Sequence, residues 1–236
     1  GKLTYLFGDQ YQQLYRFRGA GDSFEQMVQK SRVQLSLTGS FRFGAKIAKF
    51  ASSILQDIDG KSITGLSTCK GKVTKEEVRM NTTSLVVLCR SNQGIFDYLI
   101  EHRPQRWCTL GGRITLKAQP WVYDLEAFLQ EFLDDNTRDE STSFEYKDEV
   151  FQDIASIQEF ADDEGDSDLL RYLYLLLSLV KDQQSFNKFL KYVNNSYQAL
   201  SRDESYDEYK GVILGTVHKS KGLEFQRVLI YNDYKW

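Results

Sequence analysis

Two prolines, three cysteines and two histidines are all that occur in these 236 residues, and each scarcity excludes something. Pro104 and Pro120 are isolated, so no Pro-rich linker divides the chain. Cys69, Cys89 and Cys108 are odd in number and form no CxxC pair. That fits reduced intracellular thiols better than a disulfide or zinc framework. His102 and His218 are far apart in sequence and make no metal-spaced cluster. No apolar run approaches the roughly 20 residues that span a bilayer, so no membrane partner is expected. Gly1-Lys2 leads directly into an apolar run and does not read as a signal peptide. The pattern Gly-x-x-x-x-Gly-Lys-Ser/Thr does not occur, so the phosphate-cradling loop it encodes is missing.

The apolar fraction of 41% and aromatic fraction of 14% are those of a globular chain with a real core. The length suits one large domain, or a domain plus part of another. The net charge of −3 argues against a wholly basic nucleic-acid binder, but the charge is uneven. Between Asp134 and Asp168 there are 14 acidic residues against two basic ones, whereas residues 39–49 hold Arg42, Lys46 and Lys49 and no acid. Any nucleic-acid path should therefore avoid the acidic middle.

Strands are expected at residues 3–7, 33–37, 84–89, 113–116, 212–216 and 227–231, from short apolar runs between turn signals. Helices are expected at 23–30, 43–55, 92–102 and 121–133, from apolar residues at helical spacing, and throughout most of 150–205. Residues 169–180 are apolar nearly all round, which predicts the central helix of a small bundle. The unbroken apolar run at 84–89 predicts burial on both faces, as in a parallel sheet. Residues 134–149 read as an exposed acidic linker. Strands alternating with helices, with one helical insert, give an α/β class.

Three segments carry chemistry. Residues 8–20 (GDQYQQLYRFRGA) combine amides, arginines and aromatics in one loop. Amides and arginine can hold a phosphate while flat rings stack on bases; the same residues also read as a polar turn with two half-buried aromatics. Residues 37–42 (LTGSFR) end an apolar run and open a helix, where Arg42 could face a phosphate across a cleft and Phe41 could stack on a base. They equally read as a helix start with an ordinary surface arginine. Residues 215–225 (GTVHKSKGLEF) lie between two apolar strands. Thr216 and His218 can donate to backbone phosphates, Lys221-Gly222 gives a close-approach turn, and Glu224 could accept from ribose hydroxyls. Residues 88–92 (LCRSN) are less specific: they place Arg90 and Asn92 at a strand end, or form a strand followed by a helix capped by Ser91 or Asn92. Gly111-Gly112 marks a turn.

In order and spacing these segments resemble the superfamily 1 helicases of the UvrD/Rep/PcrA group. Residues 8–20 look like the third motif of that family, 37–42 like the fourth with Ser40 where Asn is usual, and 215–225 like the fifth. Residues 88–92 are similar to the family's Arg-x-Asn strand end, and Phe41-Arg42-Phe43-Gly44 is similar to the F-box DNA helicase branch. The resemblance implies a RecA-like parallel sheet flanked by helices, with a helical insertion. Residues 1–32 would be the end of a first RecA-like domain. Residues 33–116 and 206–236 would belong to a second, incomplete at its C-terminus, and 117–205 to the insertion.

The resemblance further implies ATP and Mg²⁺ as cofactors, with single-stranded DNA, single/double-strand junctions and the remaining helicase domains as partners. Gln12 and Arg42 would be catalytic. Phe41, Gly222 and Glu224 would contact the nucleotide; Tyr15, Phe17, Arg18, Arg90, Asn92, Thr216 and His218 would contact DNA. Translocation would run 3′ to 5′. The Mg²⁺-holding carboxylates and a Thr-Arg-Ala sixth motif are absent along with the phosphate loop, so the chain reads as a helicase piece, inactive alone. The competing expectation is a non-catalytic module that keeps the fold to bind nucleic acid or a protein.

Overall fold

The computed structural model describes residues 4–9, 23–75, 84–134, 139, 141–201 and 203–233. The chain divides into two compact units, Gly1–Glu77 and Val78–Trp236. The first contains α1 (Ser23–Lys30), β1 (Gly39–Ser40), α2 (Ala45–Asp59) and β2 (Thr64–Gly65). The second contains β3 (Leu85–Cys89), α3 (Asn92–His102), β4 (Trp107–Thr109) and α4 (Pro120–Leu133). It continues with β5 (Phe144–Tyr146), β6 (Glu149–Phe151), α5 (Ile154–Asp163), α6 (Ser167–Lys181), α7 (Phe186–Ser196), β7 (Val212–Thr216) and β8 (Val228–Ile230).

The second unit is built on a four-stranded sheet in the order β4-β7-β3-β8. All three of its pairings are parallel. The central strands read LVVLC and VILGT, and only Leu88 among them is not buried. A parallel strand covered on both faces has no polar face to alternate with, hence the continuous apolar runs. The α/β class with a parallel sheet and flanking helices is therefore observed. Its core runs from Val87, Val212 and Leu214 of the sheet, through Phe96 and Leu99 of α3, into α4–α7. Helix α6 sits centrally: Leu169, Tyr172, Leu173, Leu175, Leu176 and Leu179 are all buried, and α3, α4 and α5 pack on it. Polar anchors join these layers. The Trp107 indole N–H donates to Ser196 Oγ at 2.7 Å, and the Tyr172 hydroxyl donates to the Lys117 carbonyl at 2.9 Å.

Four expectations are corrected. The described part of the first expected strand, residues 4–7, carries no strand, and Tyr5 and Phe7 are 73% and 80% exposed. Residues 33–37 are likewise unpaired, with Val33, Leu35 and Leu37 exposed. Alternating apolarity makes a strand only when another strand accepts its backbone groups. The ladder described in this unit is the two-residue pairing of β1 with β2. Residues 113–116 are not a strand either: the strand beside the Gly111-Gly112 turn precedes it, because Trp107–Thr109 pair with Val212–Leu214.

The acidic stretch is no simple linker. Its second half forms the β5–β6 hairpin, whose Phe144 and Phe151 are buried. Lys147 and Asp148, at φ 50° and 66°, make the left-handed two-residue turn that suits hairpin twist. Lys147 Nζ lies 2.7 Å from Asp166 Oδ2, which ties the hairpin to the start of α6. Two apolar aromatics outweigh the acids around them because each buries its ring against α4 or α5.

Candidate nucleic-acid and nucleotide interface

In a parallel sheet all strands end on the same side, and ligands of open α/β sheets bind outside those carboxyl ends. Three ends lie side by side here. Cys89 pairs with Thr216 as the last step of the β3–β7 ladder. The Val217 N–H then donates to the Cys89 carbonyl at 3.0 Å, and the Tyr231 N–H donates to the Leu88 carbonyl at 3.0 Å. Residues 90–92, 216–218 and 231–233 are thereby brought to one edge, although more than a hundred residues separate the first set from the others in sequence.

After β7 the chain turns at once. Lys219 N–H and Ser220 N–H both donate to the Thr216 carbonyl, at 2.9 and 3.2 Å. Ser220 Oγ donates to the Val217 carbonyl at 2.9 Å, and the Leu223 N–H to the Ser220 carbonyl at 3.0 Å. These bonds confine His218 and Lys219 to a compact turn. Gly222 follows at φ 81°, a left-handed conformation that favours glycine. Phe225 points inward: it meets Tyr206 edge-on at 5.5 Å and packs on the small cluster of Val86, Cys108, Leu110, Tyr209 and Ile213.

The β3 end is held differently. Ser91 caps α3, its Oγ accepting from the Gly94 N–H at 3.1 Å. Of the two caps the sequence offered, the serine is used, and Asn92 is the first helical residue, exposed. Asp233 closes the loop from the far end of the chain. Its Oδ1 accepts from the Arg90 N–H at 2.8 Å, and its Oδ2 from the Ser91 N–H at 3.0 Å and the Ser91 hydroxyl at 3.3 Å. Burial, with Asp233 and Asp97 nearby, pushes the Cys89 thiol up to about 12. That thiol is neutral at physiological pH and no nucleophile.

The sequence-predicted contacts divide accordingly. The edge brings together Arg90 and Asn92, both exposed, with His218, half-buried, and Thr216, which is 8% exposed. Gly222 and Glu224 are exposed on the loop that leaves this edge. Phe41 and Arg42 belong to the first unit, between β1 and α2; Phe41 is 80% exposed and Arg42 exposed. The Arg42 N–H donates to Ser40 Oγ at 3.3 Å, so Ser40 sets the turn before the helix. Gln12, Tyr15, Phe17 and Arg18 lie outside the described residues. Sequence reasoning missed Asp233; the signal available was an Asn-Asp pair ending the last apolar run.

Among the described residues no group of three or more His, Cys, Asp or Glu side chains could hold a metal ion. No described helix is long and apolar enough to cross a membrane.

No family model matches the chain, and no solved structure matches it. Among curated proteins it is similar to F-box DNA helicase 1 of Gallus gallus, with 26% identity over 246 residues covering 97% of this chain and 22% of that protein. It is similar too to F-box DNA helicase protein 1 of Schizosaccharomyces pombe, with 26% identity over 241 residues covering 98% of this chain and 26% of that protein. The chain thus spans about a quarter of the length of these relatives, and over nearly all of its own length it is similar to DNA helicases.

Proposed function

We propose that this chain supplies part of the motor of an ATP-dependent DNA helicase of the UvrD/Rep/PcrA type, and that single-stranded DNA crosses the carboxyl edge of the second unit's sheet. One observation carries the reading: the stretch Thr-x-His-x-x-Lys-Gly-Leu-Glu-Phe starts at the carboxyl end of β7, beside Arg90 and Asn92 at the end of β3. Backbone phosphates are held by Arg90, Asn92 and His218, and Thr216 anchors the turn that carries His218. Tyr15, Phe17 and Arg18 complete the DNA contacts by resemblance, the two rings stacking on bases at about 1–3 kcal/mol each.

The donor set for a nucleotide fits on chemistry. An exposed flat ring, Phe41, stands next to an exposed guanidinium, Arg42, at the mouth of α2. Such a pair can stack on a purine and meet phosphate charge. ATP, when bound, supplies the phosphoryl transfer that drives stepping. Arg42 stabilises the charge that develops there, Gln12 senses the terminal phosphate, and Gly222 and Glu224 contact the nucleotide, Glu224 on its ribose side. Mg²⁺ is given no ligand among the described residues. Translocation runs 3′ to 5′ by the same resemblance, toward single/double-strand junctions, and the remaining helicase domains are the partners that complete the motor.

Single-strand-stimulated ATP hydrolysis by the complete protein tests this. Arg42→Ala should lower turnover by about 10³-fold or more while single-strand affinity stays within about twofold. Full turnover in that variant would remove Arg42 from the chemistry. A complete protein that binds single strands but never hydrolyses ATP would instead be a non-catalytic binding module.

A further inference from the structure

The Asp233 carboxylate, just beyond the end of β8, reaches into the proposed DNA edge. It accepts three hydrogen bonds from Arg90 and Ser91, across 143 and 142 positions of sequence. The fit is close. A Cβ added at Gly94 would stand 2.5 Å from Asp233 Cγ and nearer still to Oδ2. Gly94 is therefore the residue in the first turn of α3 that leaves room for the carboxylate. The three donors it satisfies belong to the segment that displays Arg90 and Asn92 and starts α3.

We propose that Asp233 is a positioning residue for the nucleic-acid edge, fixing the backbone of residues 90–91 so that Arg90 presents its guanidinium to a phosphate. The inference rests on the reading that DNA crosses this edge. An acid beside a phosphate track is electrostatically unfavourable on its own, so its place there calls for a compensating role. A carboxylate can accept from two backbone N–H groups at once through its two oxygens. An asparagine there would turn an N–H₂ toward one of those donors, so Asp233→Asn breaks the clamp with almost no change of volume.

The test turns on opposite signs. Removing a negative charge near DNA by electrostatics alone tightens binding. Losing the clamp frees Arg90 and weakens binding. For single strands each phosphate contact adds about 0.7 to the slope of log affinity against log salt. Losing one contact at constant affinity near 1 M salt lowers affinity at 0.1 M by a factor of 10 to the power 0.7, or about fivefold.

The measurement is anisotropy of a labelled oligothymidylate with the complete protein, titrated between about 0.05 and 0.3 M salt. Asp233→Asn and Arg90→Ala should each weaken binding about fivefold at about 0.1 M salt and reduce the slope by about 0.7, and the double variant should be no weaker than either. Gly94→Ala, which keeps the charge and displaces the carboxylate, should do the same. It serves as the second route if Asp233→Asn does not fold by circular dichroism. Tighter binding by Asp233→Asn, or weaker binding with an unchanged slope, while Arg90→Ala behaves as expected, overturns the positioning role and leaves the DNA reading intact. An Arg90→Ala variant with unchanged affinity and slope overturns both.

Discussion

Gly215 opens the segment that carries the proposed function, yet its environment makes it a packing residue. It is buried in β7, opposite Leu88. A Cβ built on it would stand 2.6 Å from Leu110 Cδ1, 2.8 Å from Leu110 Cγ and 2.9 Å from Leu110 Cβ. All three atoms belong to one side chain that is itself 1% exposed. Leu110 cannot swing away: it packs with Val86, Cys108 and Ile213, and its N–H donates to the Leu214 carbonyl at 2.8 Å. Gly215→Ala should therefore overpack the strand, at a cost of about 1–3 kcal/mol. Against that, alanine loses less backbone entropy on ordering, worth about 0.5–1 kcal/mol. The net expectation is a loss centred on about 1 kcal/mol, between bounds of about 0 and 2.5 kcal/mol.

The assay can be confined to the right part of the molecule. Trp107 and Trp121 belong to the second unit and residues 1–77 contain no tryptophan, so tryptophan fluorescence in urea does not report on the first unit. The midpoint should fall with the slope unchanged. Leu110→Val, which removes one of the crowding methylenes, should cost less in the Gly215→Ala background than in the parent protein. A raised midpoint for Gly215→Ala, or an equal cost of Leu110→Val in both backgrounds, would falsify the packing account.

Two further perturbations report on the helical layer beside the sheet. Glu126 is buried in α4, and its Oε1 accepts from the Phe186 N–H at 2.7 Å, capping α7 where Ser185 makes no side-chain cap. Glu126→Ala leaves that donor unpaired and should cost about 1–3 kcal/mol in urea unfolding, whereas Glu126→Gln, which keeps an acceptor oxygen, should cost less than half of that; equal losses would refute the cap. Asp166 caps α6 through the Leu169 N–H at 3.0 Å and also accepts from Tyr146 and Lys147. Burial alone would raise its pKa. The Lys147, Leu169 and Tyr146 hydrogen bonds outweigh it and hold the carboxyl below its usual range. A depressed carboxyl stabilises the fold above its unfolded value of about 3.9 and loses that contribution as pH falls through the folded value. Asp166→Asn keeps a capping oxygen and removes the charge, so it should cost about 0.2–1 kcal/mol at pH 7 and flatten the stability profile below about pH 5. A profile parallel to that of the parent would exclude Asp166 from acid unfolding.

Where the fold was legible, it was legible for a physical reason. Residues 85–89 and 212–216 could only be buried central strands, because no polar residue interrupts them before the threonine at the end. Helix α3 was legible from its apolar spacing and from two adjacent cap candidates, Ser91 and Asn92, of which the structure uses Ser91. Residues 33–37 carry the same kind of local signal, but a strand is a pairwise object and nothing local says whether a partner exists. The hairpin at 144–151 was hidden for the converse reason. Its composition is that of a solvated linker, and two phenylalanines finding apolar walls on α4 and α5 decide the outcome.

The candidate site shows the same divide, between what a residue type can do and what its neighbours let it do. The string from Gly215 to Phe225 announced phosphate and ribose chemistry, but three of its members serve structure: Gly215 makes room for Leu110, Phe225 fills the cluster below the edge, and Thr216 is buried with its carbonyl holding the turn. The exposed side chains of the string are Lys219, Lys221, Leu223 and Glu224, with His218 half-buried among them. Asp233 runs the other way. In sequence only the Asn-Asp pair that ends the last apolar run marks it, and its partners are residues 90 and 91, with Gly94 small enough to let it in. Parallel topology is what joins them, since it brings the ends of β3, β7 and β8 to one edge whatever their distance along the chain. A strand of DNA laid on that edge would meet a surface whose donors come from separate segments, and the hydrogen bonds between those segments decide whether the donors face it together. Substitutions at Gly94 and Asp233 should for that reason weaken single-strand binding as much as loss of Arg90 itself.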